Sequence, residues 1–248
     1  MICFAAIAPH GDVDEAPELR AAMEELGRRC DAAEPEAAIV VTPHNVHVEG
    51  HFAVVVSARV GEHEVDRELA VGVLDALRAE GLPVLGVSYG GNDPGEAEMP
   101  LDWGTEVPLE FLRAPRVVVV SPARDRPLAE HVRAGAAVRR ATEGRRVALI
   151  ASADHGHAHD PEGPYGYDAA AARYDELVQE IVRSGRLEFE PLAALVADAK
   201  ADSLWQLLVL QGAVGASESG SARPGVAAEQ LAYAAPTYYG MLVASVSV

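Results

Sequence analysis

The sequence predicts an α/β protein, a three-layer α/β/α domain with a central mostly parallel or mixed sheet, and it predicts one domain over residues 1–248. Three observations lead there. Short apolar runs recur along the chain, helical patterns fall between them, and neither an internal repeat nor a long linker divides the 248 residues. Hydrophobic residues make up 49% of the chain, which at this length is enough to bury a sizeable core.

The elements follow in order. "ICFAAIA" (2–8) is continuously apolar instead of alternating, the pattern of a strand covered on both faces. "DEAPELRAAMEELGRRCDAA" then spaces its apolar residues by three and four, as an amphipathic helix does. "AAIVV" (37–41) and "FAVVVSA" (52–58) read as strands, and "EVDRELAVGVLDALRAEG" as a helix with a glycine stop. Two more strands are expected in "PVLGVSY" (83–89) and "RVVVVSP" (116–122), a helix in "LAEHVRAGAAVRRATEG" and a strand in "RVALIAS" (146–152). "DAAAARYDELVQEIVRSG" and "EPLAALVADAKADSLWQLLVLQGAV" are each expected to form one helix. The Gly/Ser-rich "GASESGSARPG" (215–225) reads as a flexible surface loop by composition.

Composition excludes several classes. A net charge of −18 repels a phosphate backbone and leaves no basic stripe, so nucleic acid is not expected as a partner. No apolar run reaches the roughly 18 residues of a membrane span, and the N-terminus lacks a basic region followed by an apolar one. The expectation is a soluble, cytoplasmic protein without membrane contact. Cys3 and Cys30 have no CxxC spacing and are expected to be buried thiols. "SYGGND" (88–93) has neither GxGxxG nor GxxxxGK, and "ASADHG" lacks the GxSxG spacing of a nucleophile elbow, so Ser152 is expected to be a structural turn residue.

The histidines carry the chemical signal. His10 follows the first expected strand in "APHGD" and His44 follows the second in "TPHNVH". His155, His157 and His159 follow the strand at 146–152, between Asp154 and Asp160. Ligands in open α/β sheets gather beyond the carboxyl ends of the strands, so three distant strands deliver imidazoles to one edge. Two neutral imidazoles and a carboxylate on one face of Fe(II) leave positions open for a substrate and O2. On that reading His10 and His44 are ligands, and one histidine of the later cluster is the acid/base. His47 and His51 lie on the loop after His44 within reach of a substrate, whereas His63 and His131 are expected to be surface residues in charged helical surroundings.

The blocks "IAPHGD", "VVTPHNVHVEGHFAVV", "PLDWGTEVPLEFL", "ASADHGHAHD", "GPYGYDAAAARYDELV" and "APTYYGMLVA" resemble, in order and over nearly the whole chain, the class III (type II) extradiol ring-cleavage dioxygenases, the LigB-like family. The resemblance implies an Fe(II) enzyme, with zinc as the other candidate metal, that opens the ring of a catechol or aminophenol with O2. It implies His10 and His44 as metal ligands. The family's Ser-Gly-Asp-x-x-His block selects His157, three residues after Asp154, as acid/base, with His155 as its catalytic neighbour. Two departures stand out. Trp103 occupies the place of a family histidine in His-Gly-Thr, and is read with His47 and Tyr165 as substrate-binding. The family's Glu ligand has no counterpart in "VADAKADSLWQLLVLQGAV", which leaves Asp202, with Asp198 in reserve one turn earlier on the same helix. Relatives also imply a homo-oligomer and, in some cases, a small companion subunit. "GPYGYD" and "NVHVEGHF" are the loops expected to shape the cavity. The rival readings are a non-enzymatic, Memo-like binding protein of the same fold and a metal-dependent hydrolase in which His157 or Asp154 activates water.

Overall fold

The computed structural model describes residues 1–215 and 226–248. The stretch read from composition as a loop, 215–225, lies outside the described residues except for Gly215, which ends a helix. In chain order the elements are β1 (Ile2–Ala8), α1 (Pro17–Ala32), β2 (Ala37–Val41), β3 (Phe52–Val55), β4 (Arg59–Val60), β5 (His63–Glu64), α2 (Arg67–Ala79), β6 (Val84–Val87) and β7 (Glu98–Met99). They continue with α3 (Trp103–Phe111), β8 (Val117–Ser121), α4 (Leu128–Ala141), β9 (Val147–Ser152), α5 (Ala169–Ser184), α6 (Val196–Ala199), α7 (Leu204–Gly215), β10 (Ala227–Ala234) and β11 (Met241–Ser247).

Eight strands form one mixed sheet in the order β10-β11-β1-β9-β2-β8-β3-β6. The central strands β1, β9, β2 and β8 are mutually parallel and buried along nearly their whole length, which is why their sequences are apolar without alternation. Helix α1 packs on β1, β10 and β11 and touches α3, while α7 packs on β1 and β9 with α4 against it and α2 against α4. These are the outer layers of an α/β/α sandwich.

Strand direction decides what the sheet edge receives. The four central strands all end at one edge, where their connecting loops converge. Strand β11 runs antiparallel to β1, so the residues just before Met241 arrive at that same edge.

Three expectations need correction. The helix expected over 190–214 is broken into a 3₁₀ turn at Glu190–Ala194, α6 and α7. Lys200 takes a left-handed backbone (φ 54°), and the amides of Lys200 and Ala201 both bond to the Val196 carbonyl, which closes α6 and frees 200–203 from helical geometry. Apolar spacing runs through the break because both segments bury a face in the same core, so periodicity alone does not reveal it. Helix α3, the small sheet β5-β4-β7 and the strands β10 and β11 carried no sequence expectation. His63 lies in a strand, and His131 is fully buried with its ring against Phe52 instead of on the surface.

Candidate functional site

The loops beyond the strand ends enclose a cavity of about 630 Å³. His10 comes from the end of β1, His44 from the end of β2, and Asp202 from the break between α6 and α7. The His10 and His44 Nε2 atoms stand 3.0 Å apart, and Asp202 Oδ2 lies 3.6 Å from the first and 3.4 Å from the second. Ligand atoms about 2.0–2.2 Å from one ion, set on one face of it, are themselves roughly 3.0–3.7 Å apart, so this triangle has the dimensions of a facial metal site. The buried Oδ1 of Asp202 has no hydrogen-bond partner among the described residues, as expected of a carboxylate shaped for an ion. Two imidazoles and a carboxylate therefore fit a divalent ion of the iron or zinc type.

Neighbouring groups fix each ligand. Ser152, at the end of β9, donates its hydroxyl proton to the Gly104 carbonyl, so at 3.0 Å from His10 Nδ1 its oxygen accepts. His10 thus carries its proton on Nδ1 and turns a lone pair on Nε2 toward the site. The His44 backbone amide donates to Thr42 Oγ1 at 3.3 Å, and that hydroxyl donates to Asp102, whose carboxylate also caps α3 at Thr105 N and accepts from the Thr105 hydroxyl and the amide of Asn45. A Cβ on Gly104 would lie 2.3 Å from Thr42 Oγ1, so only glycine lets α3 approach β2 this closely. Trp103, at the first turn of α3, places its ring 4.4 Å from that of His44 and also lines the cavity.

The electrostatics favour a cation at this point. Burial opposes charge on His10, but the Asp154 and Asp202 carboxylates outweigh it and raise its pKa to about 9. Burial likewise opposes ionisation of Asp202, yet hydrogen bonds from His10 and His44 hold it well below the usual carboxylate range.

His157, on the loop after β9, lines the same cavity as the triangle. Its backbone amide bonds to the Ala199 carbonyl at 2.7 Å, and its Nδ1 donates to the His155 carbonyl at 2.8 Å. Since a carbonyl can only accept, Nε2 is the free basic nitrogen of the neutral ring. The rings of Tyr165, Tyr238 and Tyr239 surround it at 5.7–6.0 Å between centroids. Asp175 on α5 secures the loop, accepting from Gly156 N, His159 Nε2 and the Tyr233 hydroxyl.

Other expected residues fall elsewhere. His155 is fully buried and does not line the cavity; its Nδ1 pairs with Ser203 Oγ at 2.9 Å, and burial pulls its pKa down. Its position makes it a support for the segment that carries Asp202, not the catalytic neighbour of His157 that the sequence implied. His47 is exposed and outside the cavity wall, because the loop 45–52 turns away toward β3, and that loop contributes no lining residue. Asp198 is exposed on α6, since the helix break removes the shared face that would have brought it near the ion. Tyr165 does line the cavity, from the "GPYGYD" loop.

Sequence reasoning missed Tyr238, Tyr239, Arg124 and Lys200, all on the cavity wall. Arg124 could have been found, because it follows the apolar strand β8 as His10 and His44 follow theirs. The tyrosines required knowledge that β11 runs antiparallel beside β1. Gly11 admits Tyr239: a Cβ there would lie 2.1 Å from the ring.

A family model, the catalytic LigB subunit of aromatic ring-opening dioxygenase, matches residues 9–240. The chain belongs to the LigB family. No curated protein matches it. Among solved structures, the LigB chain is similar to an uncharacterized protein, JW3007 from Escherichia coli K12, at 17% identity and a TM-score of 0.64 over 98% of each chain, a likeness of fold. The family is that of ring-opening dioxygenases, and the His10, His44 and Asp202 cluster can hold the non-haem metal on which such enzymes depend.

Proposed function

We propose that this LigB protein is an Fe(II)-dependent extradiol dioxygenase that opens the ring of a catechol-type or aminophenol substrate with O2. The observation that carries the reading is the triangle of His10 Nε2, His44 Nε2 and Asp202 Oδ2, dimensioned for one ion and facing the cavity that His157 also lines. Held by His10, His44 and Asp202, Fe(II) would supply the redox chemistry that ring opening with O2 requires.

The side chains supply the rest. His157 Nε2, with its lone pair directed by the Nδ1 hydrogen bond to the His155 carbonyl, takes a proton from a substrate hydroxyl and returns it after ring opening. Tyr165, Tyr238 and Tyr239 offer ring faces and hydroxyls to a flat aromatic substrate. Trp103 packs beside His44 and offers an apolar wall where it cannot accept a proton. Ser152 holds the His10 ring in its binding orientation, while Thr42, anchored by Asp102, holds the backbone of His44.

A second reading, a non-enzymatic binding protein of this fold, is favoured by two observations. Asp154 Oδ2 lies 3.5 Å from His10 Nε2, a second carboxylate beside the triangle, and Trp103 stands where the family resemblance implies a histidine. Anaerobic reconstitution with Fe(II), metal quantification and oxygen uptake against catechols and aminophenols separate the readings. Stoichiometric iron with substrate-dependent oxygen consumption supports the dioxygenase. A loaded site that consumes no oxygen with any of them overturns it, and tight zinc with ester or amide cleavage points to the hydrolase.

A further inference from the structure

The two edges of the eight-stranded sheet are finished differently. At β10, Glu229 pairs with Arg29 of α1, and Gln230 bonds to Gln179 and Arg183 of α5, so charge and helices dress that edge. The β6 edge has no such cover. No charged residue occurs between Glu80 and Asp93, in a chain of which 23% is charged, and no strand among the described residues pairs with the outer side of β6. The Pro83 and Val87 carbonyls accept from Phe52 N and Val56 N, so by alternation Val84 and Gly86 turn their N–H and C=O groups outward. Edge strands are ordinarily blunted by charge, proline or a bulge, and an apolar edge with none of these within it is a template for another strand.

Apolar side chains flank that backbone. Gly86 faces Leu74 of α2, so Leu85 projects from the opposite face, where it is 39% exposed, and Tyr89 just beyond the strand is 65% exposed. Val71, on α2, is 44% exposed. Arg67, Val71 and Asp75 follow at four-residue spacing, on successive turns of the exposed face of α2. Arg67 makes no ion pair among the described residues, its Nε bonding the Val56 carbonyl, and Asp75 has only its exposed neighbour Arg78. This ridge is complementary to itself. A two-fold axis through Val71 sets Arg67 of each copy against Asp75 of the other and runs the two β6 strands antiparallel. Paired strands lie about 4.8 Å apart and packed helices about 8–10 Å, so pairing the edges brings the two α2 helices to packing distance. A chain of net charge −18 repels its copy over most of its surface, and an uncharged strip with one cation and one anion in symmetric places escapes that repulsion.

We propose that the protein associates with a second copy of itself through the β6 edge and the Arg67–Val71–Asp75 ridge of α2, forming one continuous sheet across a two-fold axis. The interface is independent of the ring-opening reading, because the cavity lies at the ends of the central strands and not along this edge. Sedimentation velocity on the full chain at about 1–100 μM tests it, with a concentration-dependent dimer expected. Asp75→Arg and Arg67→Glu are each expected to weaken the dimer about tenfold or more, since each variant meets its own copy with two like-charge contacts. An equimolar mixture of the two variants should regain the dimer, because both contacts then join opposite charges. Leu85→Lys should give a monomer with unchanged circular dichroism, as a charge on an edge strand blocks pairing.

An unaltered chain that stays monomeric up to about 100 μM would overturn the interface. So would a dimer that all three variants form as tightly as the unaltered chain, which would place the contact elsewhere on the surface. The mixture separates a pairing role from a structural one. A substitution that merely disturbed α2 would weaken association in the mixture as well, and two monomeric variants that remain monomeric together would sink the two-fold arrangement.

Discussion

Ser152 has one hydroxyl proton, and its donation to the Gly104 carbonyl obliges it to accept from His10. Ser152→Ala removes that constraint and lets His10 place its proton on the nitrogen that should face the ion. Metal affinity is expected to fall about 10–100-fold, read by chelator competition, with the fold retained by circular dichroism. Asp202→Ala is expected to abolish tight metal binding, whereas Asp198→Ala should change it by less than about twofold, since Asp198 is exposed on α6. Equal losses in the two variants would return the carboxylate assignment to open competition. His157→Ala should keep the metal and reduce turnover about 10²–10⁴-fold, the range of a positioned acid/base. Normal turnover in that variant would remove His157 from the mechanism.

At the scale of elements, short polar ties join an element's end to its neighbour. Asp66 caps α2 at Leu69 N, and its carboxylate also accepts from both terminal nitrogens of Arg145. Burial pushes its pKa up, but the Arg145 hydrogen bond prevails and holds it below the usual carboxylate value. A depressed folded-state pKa contributes stability above the unfolded-state value and loses it as pH falls through the folded one. Asp66→Ala is therefore expected to cost about 2–4 kcal/mol at pH 7 in urea unfolding, combining a lost cap with an unpaired arginine. The difference from the unaltered protein should shrink below about pH 4. A cost that stayed constant from pH 7 to pH 3 would rule out the ion pair as its source. The interruption between α6 and α7 belongs to this scale as well. It converts what reads as a continuous amphipathic run into a loop that carries Asp202, and the backbone, not side-chain length, brings this shorter carboxylate within 3.4–3.6 Å of the His44 and His10 Nε2 atoms.

Across the whole molecule, a charge of −18 on 248 residues means net self-repulsion in the compact state. Raising sodium chloride from about 0.01 to about 0.3 M should raise Tm by roughly 2–5 °C, because exposed charges further apart than the screening length cease to repel. A falling Tm would show that attractive ion pairs, such as Arg29 with Glu25 and Glu229, outweigh that repulsion. No helix among the described residues is long and apolar enough to cross a membrane. The first and last strands lie side by side, β1 against β11, so the site at the sheet edge draws residues from both ends of the chain.

The sequence by itself determined the central strands, because a strand buried on both faces is apolar along its length, and β1, β2, β8 and β9 are, save Ser121 and Ser152 at the ends of the last two. It also determined His10, His44 and the cluster of His155, His157 and His159 as candidates, since each follows such a strand and parallel neighbours bring their ends together, the family resemblance singling out His157. Only the tertiary structure decided which acid completes the triangle, which histidine of the 155/157/159 cluster reaches the cavity, and which cations and tyrosines stand opposite. Those choices depend on a left-handed turn at Lys200, on a strand running antiparallel beside β1 and on loops closing toward one edge. Periodicity reports which face of a segment is buried, but it says nothing of a segment's neighbours or the direction in which they run.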